Sequence, residues 1–396
     1  MCQAKPQRLT PSFHLNLISF VSVFPPFRGG ISKFSHYLYQ SLKTRTDIEA
    51  FNFSRLYPNI IFPGQSQELP TGRRKNNYAT PLLHSYNPFN WRKSGKVLAN
   101  HTTDVVIYSY WHPFFALSYL SMLKGLKKRR PNTAVIAIAH NIYPHEYFPF
   151  QTALLNKLFA QTDSVILLSD QTEQDCRKMG LKTSTRKLFH PVYEESFPTE
   201  NKEKLRERYG FEKDELVVLF FGLVRSYKGL DIFIDALNEL NLKKMKIRPF
   251  IVGEFYADKQ LLIDRMDPSK MDQMKIIDRF VTDQEAAEVM SLSDLMVLPY
   301  KKASQSGALA QSINFHLPAI ITNLPGLTEY IDHGKEGYVI PPNDSEALKK
   351  VILDFWQSDK KEEMVNNVAQ RKKQLSWERF ADRLFENIRQ LQSGKG

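Results

Sequence analysis

Residues 220–231 read Phe220-Phe221-Gly222-Leu223-Val224-Arg225-Ser226-Tyr227-Lys228-Gly229-Leu230-Asp231, and this stretch decides the fold. The run that leads into it, Glu215–Gly222, predicts a buried strand. Gly222 lets the backbone turn closely after the strand. The apolar residues that follow recur with helical spacing, at Leu230, Phe233, Ile234, Leu237 and Leu240. A strand, a glycine turn and a helix in this order form the repeating unit of a doubly wound α/β domain.

The same alternation continues on both sides of this stretch. Towards the C-terminus, strands are predicted at Ile247–Gly253, Lys275–Phe280, Leu295–Pro299 and Ala319–Asn323. Towards the N-terminus, they are predicted at Leu15–Val23, Val105–Ser109, Ala134–Ala139 and Val165–Leu168. Because these runs are almost continuously apolar, we expect strands buried on both faces, as in parallel sheets covered by helices. The sequence predicts an α/β protein with two Rossmann-like domains that face each other across a cleft.

The length of the chain, 396 residues, exceeds one ordinary hydrophobic core and suits two domains. We expect domains at 1–195 and 196–375, joined by the polar stretch Glu194–Glu207. Ser376 is expected to cap a final helix, residues 376–396, that packs back on the first domain. Arg55–His101 shows no clear periodicity and is interpreted as a long loop insertion.

The N-terminal sequence and the cysteines indicate in which cellular compartment the protein is expected. An apolar run, Phe13–Phe27, resembles a signal peptide faintly, but polar residues interrupt it and it leads into a glycine turn, which favours a buried first strand. No stretch holds the roughly 18 apolar residues of a membrane span, so we expect no transmembrane helix. Cys2 and Cys176 form neither a disulfide framework nor a metal-ligand pattern. A cytoplasmic protein is therefore expected.

The net charge of +12 is unevenly distributed. Up to Glu195 there are 24 Lys and Arg against 11 Asp and Glu, and the remainder holds 30 against 31. A basic first half indicates an anionic partner. Leu117–Arg130 is amphipathic and ends in a run of cations, which suits the surface of an anionic membrane as well as an ordinary helix with a solvated end. The exposed positions expected nearby are Tyr147, Phe148 and Phe150. No recognition motif accompanies the charge, so nucleic acid is not expected as a partner.

Two stretches carry chemistry in the second half. In the first, Arg225 and Lys228 stand three residues apart at the mouth of a helix, where free backbone N–H groups and the helix dipole favour anions. Together they can bind one diphosphate, or they can be two solvated surface cations. In the second, small and hydroxyl residues precede an apolar helix and expose backbone amides that can bind the same diphosphate, or they simply cap the helix. These residues are Ser304, Gln305, Ser306, Gly307 and Ala308.

Taken together, these stretches resemble the donor domain of the family 4 glycosyltransferases, which have the GT-B fold. Further stretches follow the order of the family's motifs: Gly29-Gly30-Ile31, Val252-Gly253-Glu254-Phe255-Tyr256, Ser293-Asp294, Leu317-Pro318-Ala319-Ile320-Ile321 and Gly326-Leu327-Thr328-Glu329. The resemblance implies that Gly29, Gly30, Gly222 and Glu254 contact the sugar donor. It covers nearly the whole chain.

One departure from the family concerns a pair of glutamates that many members carry eight residues apart. The corresponding positions here are Ala303 and Gln311, and neither is acidic. The chain instead resembles a subgroup with a Gln-Ser-Gly stretch. Gln311 can still hydrogen-bond a hydroxyl. Glu329 is a further candidate for a polar donor contact, with a structural role as the alternative.

In the first half, the candidate residues follow predicted strands. By resemblance, His140 faces the donor sugar across the cleft; a histidine at a strand end is otherwise often structural. His145 and Glu146 can form a pair near the acceptor. Trp111, followed by His112, can line the acceptor pocket or simply pack in the core.

The resemblance implies a retaining transfer of a sugar from a nucleoside-diphosphate sugar to a glycan or lipid-linked acceptor. We find no pair of carboxylates for a covalent double displacement. Arg225 and Lys228 would stabilise the leaving diphosphate. No cofactor and no metal is expected, because no cluster has ligand spacing. A nucleotide-sugar 2-epimerase and an inactive scaffold or binding protein remain alternatives.

Overall fold

The computed structural model describes residues 17–58, 67–68, 78–101, 103–143, 150–193, 197, 199–256, 258–303 and 306–393. The chain divides into two compact units. Unit 1 holds Met1–Leu168, Gln174–Lys187 and Ala381–Gly396, and unit 2 holds Ser169–Glu173 and Leu188–Phe380. Unit 2 thus begins at Leu188, a few residues before the boundary expected from the sequence.

Unit 1 is built on a seven-stranded parallel sheet. Its strands are β1 (Ile18–Val21), β2 (Ile48–Arg55), β3 (Ala79–His84), β4 (Val105–Tyr110), β5 (Ala134–Ala139), β6 (Ser164–Leu167) and β7 (Thr185–Lys187). They are arranged in the order β3-β2-β1-β4-β5-β6-β7. The first helices are α1 (Gly30–Lys43), α2 (Pro88–Asn100), α3 (Ala116–Lys127), α4 (Gln151–Phe159) and α5 (Asp170–Met179). Every residue of β4 and β5 is buried, as expected for central strands covered on both faces.

The strand order determines which face each helix of unit 1 covers. α1 links β1 to β2 in one direction along the sheet, whereas α2, α3 and α4 lead in the opposite direction. Because crossovers between parallel strands are right-handed, α1 covers one face and α2–α4 cover the other. All of these helices start at the carboxyl edge of the sheet.

Unit 2 contains a six-stranded parallel sheet. Its strands are β8 (Leu216–Phe221), β9 (Ile247–Val252), β10 (Lys275–Ile277), β11 (Leu295–Leu298), β12 (Ala319–Thr322) and β13 (Gly337–Ile340). The order β10-β9-β8-β11-β12-β13 places the direction change between β8 and β11, where open α/β sheets bind ligands. Its helices are α6 (Lys202–Tyr209), α7 (Leu230–Asn238), α8 (Leu242–Met245), α9 (Lys259–Asp264), α10 (Asp283–Leu292), α11 (Gly307–Asn314), α12 (Pro325–Thr328), α13 (Ser345–Gln357) and α14 (Lys361–Gln374), and α15 (Trp377–Ser393) follows them.

Two hydrophobic clusters hold unit 2 together, one on each face of the sheet. Successive residues of β8 alternate between them: Val217 and Leu219 belong to one cluster, Val218 and Phe220 to the other. This alternation is the period of two of a strand whose faces are both covered. It explains why β8 reads as a continuous apolar run.

The predicted fold class, two doubly wound parallel sheets flanked by helices, is confirmed. The interpretation of Arg55–His101 as a loop is wrong, because it contains β3 and α2. The side chain of Asn87 accepts the N–H groups of Phe89 and Asn90, and Pro88 opens the helix. The exposed side of α2 is polar, which obscured its apolar side in the sequence. β2, β7 and β13 were also missed, and α6 occupies part of the expected linker.

The last helix begins as the sequence predicted. Ser376 Oγ accepts the N–H of Arg379 at 3.2 Å, the bond of a helix cap. The end of α15 belongs to unit 1, where Glu386 pairs with Arg186 at 2.8 Å and Asp382 pairs with Arg45. Within the described residues, no helix is both long and apolar enough to span a bilayer.

Candidate active site

The turn after β8 is shaped by two glycines. Gly222 has φ 105° and Gly229 has φ 73°, both in the region that favours glycine. A Cβ on Gly229 would lie 2.0 Å from the carbonyl oxygen of Pro299, at the end of β11. Between them, residues Ser226–Lys228 form one 3₁₀ turn before α7 begins at Leu230. The first motif therefore packs directly against the chain that leads to the second motif.

Lys228 places its amine over Gly222 and beside an aromatic ring. A Cβ on Gly222 would lie 3.0 Å from Lys228 Nζ, so the amine sits close over this glycine. The amine lies 5.2 Å from the centroid of the Tyr300 ring. In the described part of the chain, no carboxylate forms an ion pair with it. Burial, and then the charge of Arg225, lowers the pKa of Lys228 to about 8. A cation held this way favours an anionic ligand, whose charge would offset both effects.

Arg225 is the second cation of the turn, and its side chain is exposed. Its guanidinium lies 5.3 Å from the centroid of the Tyr256 ring, in the loop after β9. No described carboxylate forms an ion pair with it. Arg225 lines a cavity of about 950 Å³, together with Tyr227, Tyr256, Asp258 and residues of α9. Lys228 is not among the residues that line this cavity.

The second motif begins at the cap of α11. Ser306 Oγ accepts the N–H of Leu309 at 3.2 Å, which is the predicted cap. Its hydroxyl also lies 3.4 Å from the hydroxyl of Tyr300. Gly307 is exposed, with no atom within 4 Å of the position its Cβ would take, and Ala308 is buried. Ser304 and Gln305 lie outside the described residues.

Tyr300 connects the two motifs and was not among the predicted site residues. The amine of Lys228 lies over its ring, and its hydroxyl contacts the hydroxyl of Ser306. Burial raises the pKa of Tyr300 to about 12, so the phenol is neutral near pH 7. A buried tyrosine directly after a strand end, before a Gly/Ser-rich helix start, was the available signal in the sequence.

The loop after β9 continues the sheet beyond the strand ends. A Cβ on Gly253 would lie 2.1 Å from the carbonyl oxygen of Gly222, so the two loops approach closely. Val224 donates its N–H to the carbonyl of Glu254 at 2.9 Å. The Glu254 carboxylate accepts the hydroxyl of Tyr256 at 3.3 Å. Glu254 therefore lies beside the turn that contains Arg225, and the hydrogen bond from Val224 holds its backbone in place.

Three further positions considered in the sequence lie on or next to α11 and α12. Gln311 is half-buried on α11, and Ala303, also half-buried, packs against the core. Glu329, at the end of α12, accepts the backbone N–H of Asp170 at 2.6 Å within unit 2. One carboxylate oxygen of Glu329 is thus engaged with the start of α5.

In unit 1, Gly29, Gly30 and His140 lie at the carboxyl edge of the sheet. Gly29, with φ 116°, precedes α1, and neither glycine has an atom within 4 Å of its Cβ position. His140 follows β5 and is buried, and its backbone N–H donates to the carbonyl oxygen of Tyr110 at 2.8 Å. Its ring meets Phe34 of α1 edge-on, 4.6 Å between centroids. The contact with Phe34 places the imidazole against α1.

Trp111 belongs to an aromatic cluster. Its ring lies 4.4 Å from that of Phe115, and its Nε1 donates to the hydroxyl of Tyr57 at 3.2 Å. His112 Nδ1 accepts the N–H of Phe114 at 3.1 Å and so caps a short turn. These contacts favour core packing for both. His145, Glu146, Tyr147 and Phe148 lie outside the described residues. Across the part of the chain that the structure describes, no three His, Cys, Asp or Glu side chains are grouped to hold a metal.

Comparison with known proteins finds a family match within unit 2. Residues 201–372 match the family described as "Glycosyl transferases group 1". The chain is 26% identical over 286 residues to the D-rhamnosyltransferase WbpZ of Pseudomonas aeruginosa, which covers 69% of each chain. It is 22% identical over 337 residues to the N-acetyl-alpha-D-glucosaminyl L-malate synthase of Bacillus anthracis, covering 83% of this chain and 82% of the relative. The family description and the name of the Pseudomonas relative both denote glycosyltransferases.

Solved structures share the fold. The structure of Anabaena HepE in complex with UDP superposes with a TM-score of 0.67 at 13% identity, covering 95% of this chain and all of that one. At this identity the likeness establishes the architecture, and it agrees with the two parallel sheets described above. The family match falls on unit 2, the part of the chain that contains both motifs.

Proposed function

We propose that this chain is a nucleotide-sugar-dependent glycosyltransferase. In this proposal it acts in the cytoplasm and transfers a sugar, with retention at the anomeric carbon, to a glycan or lipid-linked acceptor in cell-surface polysaccharide or glycolipid synthesis. One observation carries it: the amine of Lys228, without a described carboxylate partner, lies against Tyr300, whose hydroxyl meets the cap of α11. A cation and a helix start come together at the switch point of the unit 2 sheet.

This arrangement suits a diphosphate better than a neutral ligand. The start of α11 offers backbone N–H groups and the positive end of a helix dipole. Lys228 adds a charge that burial has made costly, so an anion nearby lowers its free energy. Arg225, exposed on the far side of the turn, can reach a second phosphate oxygen or the rest of the donor. The positive groups outnumber the negative ones at the turn itself.

The relatives support the reaction class. One relative is named a D-rhamnosyltransferase, another is named as the synthase of a glucosaminyl compound, and the HepE structure contains UDP. The sugars in the two names differ, so the names support a transferase of this class without indicating the sugar. The donor-binding residues in our proposal are Gly222, Glu254, Ser304, Gln305, Ser306, Gly307, Ala308, Gln311 and Glu329, with Gly29 and Gly30 from unit 1.

In the proposed mechanism, the bond between the anomeric carbon and the diphosphate breaks as the acceptor hydroxyl attacks from the same face. Negative charge develops on the leaving diphosphate, and Lys228, Arg225 and the amides at the start of α11 stabilise it. The departing phosphate accepts the proton of the acceptor hydroxyl. The two cations perform the charge neutralisation that a divalent ion performs in other transferases, so the proposal contains no metal.

Unit 1 supplies the acceptor-side groups in this proposal. His140, whose ring packs edge-on against Phe34, brings an imidazole to the carboxyl edge of its sheet. Trp111, His145 and Glu146 follow strand ends at the same edge in the sequence.

The test is a donor panel. Purified protein is incubated with nucleoside-diphosphate sugars that differ in base and sugar, and release of nucleoside diphosphate is measured with and without glycan acceptors. We expect one base to be preferred and release to rise with acceptor. A protein that binds nucleotide yet releases none from any donor would be a scaffold, and conversion of the donor to its 2-epimer would identify the epimerase instead.

A further inference from the structure

The exposed apolar side chains of unit 1 are concentrated in one region. Among its described residues, four large ones are exposed: Tyr86, Phe89, Leu117 and Phe150. Phe89 is 91% exposed and Phe150 is 87% exposed. Tyr86 precedes α2, Phe89 lies in its first turn, Leu117 lies in the first turn of α3, and Phe150 directly precedes α4. Exposure of this degree costs hydration free energy that a partner surface would recover.

These four positions share one edge of the unit 1 sheet. α2, α3 and α4 follow the parallel strands β3, β4 and β5, so each helix starts at the carboxyl edge. Right-handed crossovers place the three helices on one face of the sheet. The exposed side chains therefore form an apolar rim along the starts of neighbouring helices, rather than four scattered surface residues.

α2 and α3 pack closely against each other. A Cβ on Gly95 would lie 2.3 Å from the carbonyl oxygen of Met122 and 3.1 Å from the Cα of Gly125. The two helices thus touch through their backbones, because glycine at both positions removes the side chains that would separate them. Side chains on the solvent side of one helix continue directly onto the other.

This joined surface is basic. The exposed cations of α2 are Arg92, Lys93 and Lys96, and those at the end of α3 are Lys124 and Lys128. None of these five forms an ion pair with a carboxylate in the described part of unit 1. Asp104 is the only acidic residue between Glu68 and Glu146, and α2, α3 and α4 contain none. The positive potential is therefore not neutralised locally.

We propose that this surface binds an anionic lipid bilayer. The docking surface consists of the apolar rim (Tyr86, Phe89, Leu117, Phe150) and the five cations of α2 and α3. The cations approach lipid phosphates, and the rim inserts its side chains among the headgroups, as on peripheral amphipathic helices. The inference does not depend on the proposed transferase activity. It is also wider than the amphipathic pattern of Leu117–Arg130, because α2 contributes most of its cations and Phe89.

The rim distinguishes a bilayer from a nucleic acid. Phosphate backbones attract the same cations. The rim, however, includes the aliphatic Leu117, which has no π-face for stacking on a base. Aliphatic and aromatic side chains can both insert between lipids.

The first experiment measures binding of the full chain to vesicles by co-sedimentation. Vesicles of phosphatidylcholine alone are compared with vesicles that contain phosphatidylglycerol, at low and high salt. We expect binding only to the anionic vesicles, and weaker binding at high salt because surface charges are then screened. Equal binding to both vesicle types, or none to anionic vesicles at low salt, would overturn the proposal.

The second experiment uses paired variants. Arg92→Glu/Lys93→Glu changes the docking surface, and Lys178→Glu/Lys182→Glu makes the same change in charge at exposed positions at and after the end of α5. We expect the first pair to weaken vesicle binding at least tenfold and the second to leave it within about twofold. An equal loss in both pairs would mean attraction by net charge alone, and the docking surface would be wrong.

The rim is tested separately from the charge. Phe89→Ser is expected to weaken binding to anionic vesicles about tenfold, whereas Phe280→Ser, at an exposed phenylalanine of unit 2, leaves it unchanged. Binding of a duplex DNA by the wild type that responds to Arg92→Glu/Lys93→Glu, without response of vesicle binding to Phe89→Ser, would favour nucleic acid and overturn the proposal.

Circular dichroism and thermal unfolding of each variant show that its fold is intact. Measurement of nucleoside diphosphate release separates the two proposals: vesicle binding without release contradicts only the transferase, and release without vesicle binding contradicts only the docking surface.

Discussion

The amine of Lys228 lies 5.2 Å from the centroid of the Tyr300 ring, and these two residues join the turn after β8 to the start of α11. On its other side the amine rests over Gly222. The amine is therefore held in place without an acidic partner. A positioned, partly desolvated cation of this kind stabilises charge that develops in a transition state more than it stabilises a neutral ground state.

Removal of either cation should reduce the rate of transfer. Lys228→Ala and Arg225→Ala are each expected to lower turnover about a hundredfold, because loss of one such group commonly costs 10²–10³ in kcat. Lys350→Ala, an exposed lysine of α13 away from the turn, serves as the control and should leave turnover unchanged. The readout is release of nucleoside diphosphate; turnover near the wild-type value in both site variants would refute the assigned role.

Nucleotide affinity should depend on pH through Lys228. Its pKa is lowered to about 8, so the amine is mostly protonated at pH 7 and loses its charge as pH rises through 8. A bound diphosphate favours the charged form, so the dissociation constant should increase from about pH 8 upward and stay nearly constant below pH 7. Calorimetric titration from pH 6.5 to 9.5 measures this.

Lys228→Arg provides the comparison, because a guanidinium keeps its charge over this range. Its affinity should be almost independent of pH. The same increase in wild type and variant would mean that another group titrates.

Gly229 should not tolerate a side chain. In Gly229→Ala, the new Cβ would meet the Pro299 carbonyl at 2.0 Å, and the backbone keeps φ at 73°. We expect a loss of several kcal/mol in the free energy of unfolding, since overpacking adds to a left-handed cost of about 1–2 kcal/mol.

Gly334→Ala measures the free-energy cost of the left-handed backbone conformation alone. Gly334 has φ 80° and no atom within 4 Å of its Cβ position. This variant should lose only about 1 kcal/mol. Urea denaturation compares the two, and equal losses would show that the contact with β11 does not constrain the turn.

Loss of the α11 cap should affect binding as well as stability. Ser306→Ala removes the acceptor for the Leu309 N–H and the contact with Tyr300, so we expect a loss of about 1 kcal/mol in stability and weaker nucleotide binding. Asp344→Ala removes the cap of α13, where Asp344 accepts the Ala347 N–H at 2.8 Å. The control should lose similar stability and keep its nucleotide affinity. Equal losses of nucleotide affinity in both variants would contradict a role for the start of α11 in nucleotide binding.

The sequence by itself determined the repeating strand–helix order, the turn glycines and the two motifs of unit 2. These are local properties: the apolar period reports burial of each face, and residues such as Gly222 and Ser306 act on the backbone next to them. Where the local signal was weak it failed, as in α2, whose exposed polar side hid the apolar one, and in β7, a strand of only three residues.

Only the tertiary structure decided which residues meet. The strand order β8–β11 brings Lys228 to Tyr300 and Gly229 to Pro299, although about 70 residues separate each pair in the chain. It also brings Arg225 to Tyr256, and it engages Glu329 with the backbone of Asp170. These outcomes depend on strand order and on packing between distant segments, neither of which leaves a periodic signal in the sequence.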